Sequence, residues 1–217
     1  MHSFGQKLFG LTICLFLVAF FCSYSPEAVA SASPTEQVRK ATADITTILD
    51  EYVKNPQGKR EETLKKIMAI ADQDFDWAEM AKRSLGRFWK QRTPDEQKNF
   101  TSLFRDLIKN AYLGKIEGYA SEKVVFEGEK IEDTYSVVKT KIITPSKGSE
   151  IPVYYRLQDK EGNLQDNEGN WMVYDVVIEG VSLVNNYRDQ FNSILQGSSY
   201  EELVKRIQDK LAQDNKK

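Results

Sequence analysis

Histidine and cysteine are almost absent from this sequence. The 217 residues include one histidine, His2, and two cysteines, Cys14 and Cys22, all of them near the start of the chain. The rest of the chain therefore cannot supply a cysteine nucleophile or a histidine base. It also lacks the usual ligands of zinc and copper. Disulfides are excluded beyond Cys22, so this long segment must be stabilised by an apolar core.

An excess of charge of one sign is also missing. Thirty Lys and Arg residues face 32 Asp and Glu residues, which gives a net charge of −2. The two signs are mixed along the chain, and no basic block suggests a nucleic-acid partner. The mean hydropathy of −0.51 rules out a protein with many membrane spans.

The first thirty residues have the pattern of an export signal. Lys7 precedes a short apolar run from Leu8 to Cys22, which falls short of the ~20 residues of a spanning helix. Ala28-Val29-Ala30 then offers the small-x-small pattern of a cleavage site. We expect residues 1–30 to be a cleaved signal peptide, with a cut after Ala30, or alternatively after Ala32. The mature chain then has neither thiol nor imidazole.

Residues 31–217 are expected to form a single α+β domain with three parts. These are a helical part (31–120), a sheet (121–180) and C-terminal helices (181–217). In the helical part, Asp76 to Trp89 reads as one helix, and Thr93-Pro94-Asp95-Glu96 is a capping box that begins the next. Near the C-terminus, Ser198-x-x-Glu201 reads as the start of the last helix.

After residue 122, apolar and polar residues alternate with a period of two, and this pattern predicts four strands. They are Val124–Phe126, Tyr135–Ile143, Ile151–Gln158 and Trp171–Ile178. Their connections are short, which favours an antiparallel meander.

The last of these strands is apolar at almost every position except Asp175. Strict alternation places Met172, Tyr174, Val176 and Ile178 on one face and Trp171, Val173, Asp175 and Val177 on the other. We expect Asp175 to form an ion pair, with Arg156 on the neighbouring strand as a candidate partner, or to lie on a hydrated surface. Ser182 follows in a context that resembles a nucleophile elbow, but the fifth position is Val184 rather than glycine, so we expect Ser182 to cap a helix.

An ordered set of residues resembles the MlaC/toluene-tolerance family. The first part of the set is Phe75-Asp76, Met80, Leu85-Gly86, Trp89, Thr93-Pro94, Gln97, Phe100, Phe104, Leu107 and Tyr112. The second part is Tyr174-Asp175-Val176, Ile178-Glu179-Gly180-Val181-Ser182-Leu183, Asn186-Tyr187-Arg188 and Phe191. The resemblance covers nearly all of residues 31–217, in order and at the family's spacings.

This resemblance implies a periplasmic phospholipid carrier of the lipid-asymmetry pathway. The implied fold is a four-stranded twisted antiparallel sheet, of the NTF2/cystatin-like kind, packed with helices around a lipid cavity. The implied partners are phospholipid, an inner-membrane ABC transporter complex with an MCE-domain subunit, and an outer-membrane lipoprotein–porin complex. We expect a monomer with no cofactor other than the bound lipid, and no catalytic or metal-binding residues.

The expected lipid-binding side chains come from one face of the sheet and from the helices opposite it. They are Met80, Leu85, Phe88, Phe104, Leu107, Ile108, Tyr112, Val138, Ile142, Val153, Tyr155, Leu157, Met172, Tyr174 and Val176. Two other classes of function remain open. One is a small-molecule enzyme on a similar cone-shaped sheet that uses Asp175 and a tyrosine. The other is a protein-binding adaptor with a closed core and no ligand.

Overall fold

The structure is a computed structural model that describes residues 33–113, 122–144, 148–161 and 169–214. All of them belong to a unit that spans Ser31–Lys217. The predicted signal peptide and its cleavage site lie outside the described residues.

Six α-helices and one 3-10 helix account for the helical segments of the described chain. They are α1 (Pro34–Lys54), α2 (Arg60–Asp74), α3 (Trp77–Leu85), the 3-10 helix (Gly86–Gln91), α4 (Pro94–Leu113), α5 (Leu183–Leu195) and α6 (Tyr200–Asp214). None of the helices in these ranges is long and apolar enough to cross a bilayer.

The strands form one antiparallel sheet in sequence order. They are β1 (Lys123–Glu132), β2 (Tyr135–Thr144), β3 (Ser149–Asp159), β4 (Trp171–Ile178) and β5 (Val181–Ser182). The predicted α+β class is confirmed, but the sheet has five strands instead of four. The additional strand is a two-residue pairing with the end of β4, reached through a tight turn at Glu179 and Gly180.

Strand β1 is also longer than predicted. It continues to Glu132, past the end of the apolar Val124–Phe126 segment. A β-bulge between Phe126 and Gly128 shifts its register against β2, so simple alternation stops at that point.

The predicted helix from Asp76 to Trp89 is wrong in its last four residues. Helix α3 ends at Leu85 because Gly86 has φ +58° and ψ −129°, a conformation that favours glycine and interrupts the helix. A 3-10 helix continues to Gln91. The capping box before α4 is confirmed, since the amide of Glu96 donates to Thr93 Oγ1 and the amide of Thr93 donates to Glu96 Oε2.

The start of the last helix is one residue later than predicted. The Ser199 hydroxyl oxygen, not that of Ser198, accepts a hydrogen bond from the amide of Glu202. Helix α6 accordingly begins at Tyr200.

The described residues contain two apolar clusters. The main core lies between one face of the sheet and the helices, and its largest fully buried side chains are Trp171, Phe100, Phe104, Met80, Leu85, Leu157 and Leu203. A smaller cluster of Leu49, Tyr52 and Ile67 joins α1 to α2. Val38, near the start of α1, belongs to the main core, so the first turns of α1 and its later turns are buried in different clusters.

Candidate functional site

The register of the sheet defines an inner face that packs on the helices. Residues directly paired across neighbouring strands point to the same side. The inner face therefore includes the following side chains: Val124, Phe126, Glu129 and Ile131 in β1; Ser136, Val138, Thr140, Ile142 and Thr144 in β2; Ser149, Ile151, Val153, Tyr155, Leu157 and Asp159 in β3; Trp171, Val173, Val176 and Ile178 in β4. Thr140 donates its hydroxyl to the carbonyl of Val153 at 2.7 Å. Apolar side chains therefore dominate the middle of the inner face, and its polar members lie mainly towards the strand ends.

One end of the inner face is closed by the protein's own side chains. Leu157, Trp171 and Val173 are at most 2% exposed. They share the main core with Met80 and Phe104, which are fully buried. At this closed end the sheet and the helices pack directly together.

The other end of the inner face is more open. Val124, Ile142, Ile151 and Ile178 are all only partly buried, although each is a large aliphatic residue. Ile142 pairs directly with both Val124 and Ile151, so these side chains are contiguous. We call this set the mouth of the inner face.

A groove of about 430 Å³ adjoins the mouth between α1 and β1. One wall is formed by Arg39, Thr42, Ala43 and Thr46 of α1, and the other by Glu122, which precedes β1, and by Lys123, Val124 and Phe126 of β1. The hydroxyls of Thr42 and Thr46 donate to carbonyls one turn earlier in α1, at 2.8 Å each. Because these hydroxyls are satisfied within the helix, they do not need a hydrogen-bond partner in the groove.

Two cations border this groove. The Arg39 guanidinium lies over the Phe126 ring, 4.2 Å from its centre, and Lys123 lines the β1 wall. Both side chains are exposed. Glu122 also lines the groove, and Arg39 pairs with Glu36 at 3.2 Å. The groove therefore has an apolar floor and a rim with charges of both signs, which suits an amphiphile with a charged polar end.

Strand β4 differs from the predicted alternation. A β-bulge opposite Arg156 and Leu157 makes Val173 and Val176, three residues apart, share the inner face. The expectation that Met172, Tyr174 and Val176 lie on one face was therefore wrong. Met172 pairs with Gln158 on the outer face. Tyr174 contacts the Tyr135 ring and the Arg83 guanidinium, 5.8 and 4.2 Å away.

Most of the other predicted lipid-binding residues lie in or against the main core. Those buried in it are Met80, Leu85, Phe104, Leu107, Ile108, Val138, Val153, Leu157 and Val176. Those partly buried against it are Phe88, Tyr112, Ile142 and Tyr155. Sequence reasoning did not include Val124, Phe126, Ile151 and Ile178. The period of two in these strands, combined with the antiparallel meander, could have identified the first three.

Asp175 holds the start of α5 against β4. Its carboxylate accepts hydrogen bonds from Arg156 Nη1 at 3.0 Å, the Ser182 hydroxyl at 2.7 Å and the amide of Val184 at 3.1 Å. The predicted ion pair with Arg156 is confirmed. So is the predicted cap, since Ser182 accepts from the amide of Asn185. A carboxylate occupied by three donors, on the face opposite the core, does not suit the enzyme alternative.

Within the described ranges, no cluster of acidic, histidine or cysteine side chains could hold a metal ion. The strongest perturbations of ionisation are those of two core tyrosines. Burial raises the pKa of Tyr155 to about 12, and burial together with the nearby Tyr112 raises the pKa of Tyr187 to about 12. Both hydroxyls therefore remain protonated at neutral pH.

The sequence of residues 39–209 matches the family described as "MlaC protein". The chain belongs to the MlaC family. This match covers most of the described structure and confirms the resemblance noted from the sequence.

Two MlaC-family relatives match along most of their length. The "intermembrane phospholipid transport system binding protein MlaC" of Haemophilus influenzae is 22% identical over 208 residues, which cover 93% of this chain and 92% of the relative. The "toluene tolerance protein ttg2D" of Pseudomonas putida is 20% identical over 185 residues, with coverage of 83% and 81%.

A solved structure shares the fold. The phospholipid-binding protein from Ralstonia solanacearum, determined in complex with a phospholipid, superposes with a TM-score of 0.69 at 24% identity. The alignment covers 85% of this chain and 99% of the Ralstonia chain.

Proposed function

We propose that this MlaC-family protein is a periplasmic phospholipid carrier. The acyl chains of the bound phospholipid enter at the mouth and lie between the inner face and the helices. The polar head group of the lipid stays near the rim of the α1–β1 groove. The observation that carries the proposal is the partly buried aliphatic mouth next to a groove with an apolar floor and a charged rim. The names of the relatives and of the Ralstonia protein support the choice of phospholipid.

The energetics require an extended apolar site. Burial of one methylene group stabilises by ~0.8 kcal/mol. Transfer of two acyl chains, with roughly thirty methylenes, from a bilayer into water therefore costs on the order of 20 kcal/mol of free energy. A carrier must recover nearly all of this free energy, yet not exceed it greatly, or the lipid would not be released. Apolar contact with few polar anchors meets both conditions.

The groove alone is too small for such a ligand. Its 430 Å³ is near the lower end of the ~300–1,000 Å³ of pockets that enclose drug-sized molecules. We therefore infer that lipid loading separates the sheet from the helices beyond the mouth. Leu107, Ile108 and Val153, which are at most 8% exposed, then exchange contacts within the core for contacts with acyl chains.

The wider role rests on the family. We propose that residues 1–30 direct export, and that the monomeric carrier moves lipid between the inner-membrane MCE-domain ABC transporter complex and the outer-membrane lipoprotein–porin complex. The apolar interior and the structural use of Asp175 support a carrier over an enzyme.

Variants at the mouth test this function. Ile151→Asp places a carboxylate where acyl chains would enter, and a charged group cannot be desolvated there without a large cost. We expect the uptake of fluorescent phospholipid from vesicles to fall more than about tenfold. Leu107→Asp and Val153→Asp should also abolish binding, but these positions are 3% and 4% exposed, so folding must be checked first.

The matched control is Val53→Asp. Val53 is an aliphatic residue that is 50% exposed near the C-terminal end of α1, outside both apolar clusters. We expect this variant to take up lipid as the wild type does. Equal uptake by folded Ile151→Asp and by the control would contradict the proposed position of the acyl chains.

A further inference from the structure

Tyr155 is the most accessible residue in the middle of the inner face. It pairs with Val138 on β2 and with Val176 on β4, and it lies between Val153 and Leu157 along β3. These four neighbours are between 0% and 7% exposed, whereas Tyr155 is only partly buried. Its accessible surface is therefore framed by buried apolar side chains on a central strand, and not by the edge of the sheet.

The Tyr155 hydroxyl has no hydrogen-bond partner within the described part of the chain, whereas the hydroxyl of Tyr200, another core tyrosine, donates to the carbonyl of Glu96 at 3.2 Å. Burial alone raises the pKa of Tyr155 to about 12, with no contribution from a neighbouring charge. The group is thus a protonated donor in apolar surroundings.

A hydroxyl in such surroundings is costly without a partner and gains free energy when an acceptor arrives. We propose that the Tyr155 hydroxyl donates a hydrogen bond to an ester carbonyl of the bound phospholipid. This inference rests on the proposed carrier function. The ester carbonyls lie where the head group joins the acyl chains, so this contact sets how deeply the lipid enters.

The surroundings of Tyr155 favour a carbonyl over the phosphate as the acceptor. No cation contributes to the ionisation of Tyr155, and a phosphate buried without a cation carries a far larger desolvation cost than a neutral carbonyl. The cations of the groove, Arg39 and Lys123, are exposed at its rim, where the phosphate can remain hydrated.

The test compares ester-linked and ether-linked lipids. Binding of a diester phosphatidylethanolamine and of its diether analogue with the same chain length is measured for the wild type, for Tyr155→Phe and for Tyr154→Phe. Tyr154 is the adjacent residue on the outer face, near Lys139, and serves as the matched control. One neutral hydrogen bond corresponds to about fivefold in affinity.

We expect the wild type and Tyr154→Phe to bind the diester about fivefold more tightly than the diether. Tyr155→Phe should lose this preference and bind both lipids with the affinity of the wild type for the diether. Its melting temperature without lipid should equal or exceed that of the wild type, because the change removes a hydroxyl that has no partner.

Each other outcome overturns a defined part of the inference. Equal diester binding by the wild type and Tyr155→Phe removes any role of the hydroxyl. If Tyr155→Phe binds the diester and the diether more weakly than the wild type by the same factor, the hydroxyl donates to another acceptor, such as the phosphate, and the ester contact is refuted. If the wild type binds neither lipid, the carrier function itself fails.

Discussion

Asp175 illustrates how one buried carboxylate can determine the geometry of a strand and the helix that follows. The side chain is 4% exposed, and its ion-pair partner Arg156 is 40% exposed. Together with Ser182 and the amide of Val184, this pair fixes the first turn of α5 to β4. The sequence suggested the ion pair because the two residues lie on predicted neighbouring strands.

The bulge beside Asp175 could not be predicted from alternation. The strand from Trp171 to Ile178 is apolar on both faces, so a shift of one residue leaves no trace in its pattern. Only the pairing with β3 shows that Trp171 and Val173 point inward and Tyr174 outward. The errors at Met172 and Tyr174 both follow from this single extra residue.

Removal of the Asp175 carboxylate should destabilise the fold. Asp175→Ala leaves a buried hydroxyl and an amide without their acceptor and separates Arg156 from its counter-ion. We expect the free energy of unfolding to fall by about 3 kcal/mol, measured by chemical denaturation.

Asp209→Ala is the control for this loss. Asp209 pairs with Lys205 on the surface of α6, where both side chains are more than half exposed, so the change should be below about 1 kcal/mol. Similar losses in the two variants would contradict the structural role assigned to Asp175.

At the scale of elements, the break between α3 and the 3-10 helix depends on Gly86. Its φ of +58° with ψ of −129° is a conformation that only glycine adopts readily. The Arg188 side chain packs against this position, 3.5 Å from where a Cβ atom would be. The helical periodicity of Asp76 to Trp89 concealed the break, because the residues that follow Gly86 are helical as well, in a 3-10 helix.

Gly86→Ala should therefore cost about 2 kcal/mol of stability, mainly through backbone strain. The control is Gly197→Ala after α5, where φ is not positive and no atom lies within 4 Å of an added Cβ. That change should be nearly neutral or slightly stabilising. If thermal unfolding shows equal effects for both variants, strain at Gly86 is not what ends α3.

Helices α2 and α4 are joined by a bidentate ion pair. Arg105 donates through Nε and Nη2 to the two carboxylate oxygens of Asp72, at 2.7 Å each, and the Trp77 indole donates to the same carboxylate at 3.0 Å. The hydrogen bond from Arg105 is the main cause that holds the pKa of Asp72 below its ordinary value of 3.8.

This ion pair predicts a pH-dependent contribution to stability. As the pH falls, Asp72 takes up a proton in the unfolded chain before it does so in the folded chain, because its folded pKa is the lower one. The ion pair therefore stabilises the fold above pH 3.8, and this stabilisation is lost as the pH falls through the folded pKa. Asp72→Asn and Arg105→Gln should each be less stable than the wild type at pH 7, and the difference should shrink below pH 4 in urea titrations at several pH values. A difference that stays constant over this range would contradict the assignment.

At the scale of the whole molecule, the sequence predicted the α+β class, the order of the elements and the family. The class and the order follow from apolar residues that recur with a period of two in strands and of 3.6 in helices, over many residues. It did not predict which end of the sheet is open. Burial at the mouth depends on how α1, α4 and the strands meet, and the aliphatic residues Ile142 and Ile151 look the same in sequence as the buried Val138 and Val153.

In the proposed carrier, the closed end and the open mouth of the inner face have different roles. Fully buried residues such as Phe104, Leu157 and Trp171 maintain the fold. The partly buried mouth provides the apolar surface that a bound acyl chain would cover.

The most direct test of this account is native mass spectrometry of the wild-type protein, expressed with residues 1–30 and purified from the periplasmic fraction of a Gram-negative host. We predict a main species heavier than the polypeptide by the mass of bound diacyl phospholipid, which is released on denaturation. A species with the polypeptide mass alone, unchanged after incubation with phospholipid vesicles, would contradict the central claim that the interior accommodates acyl chains.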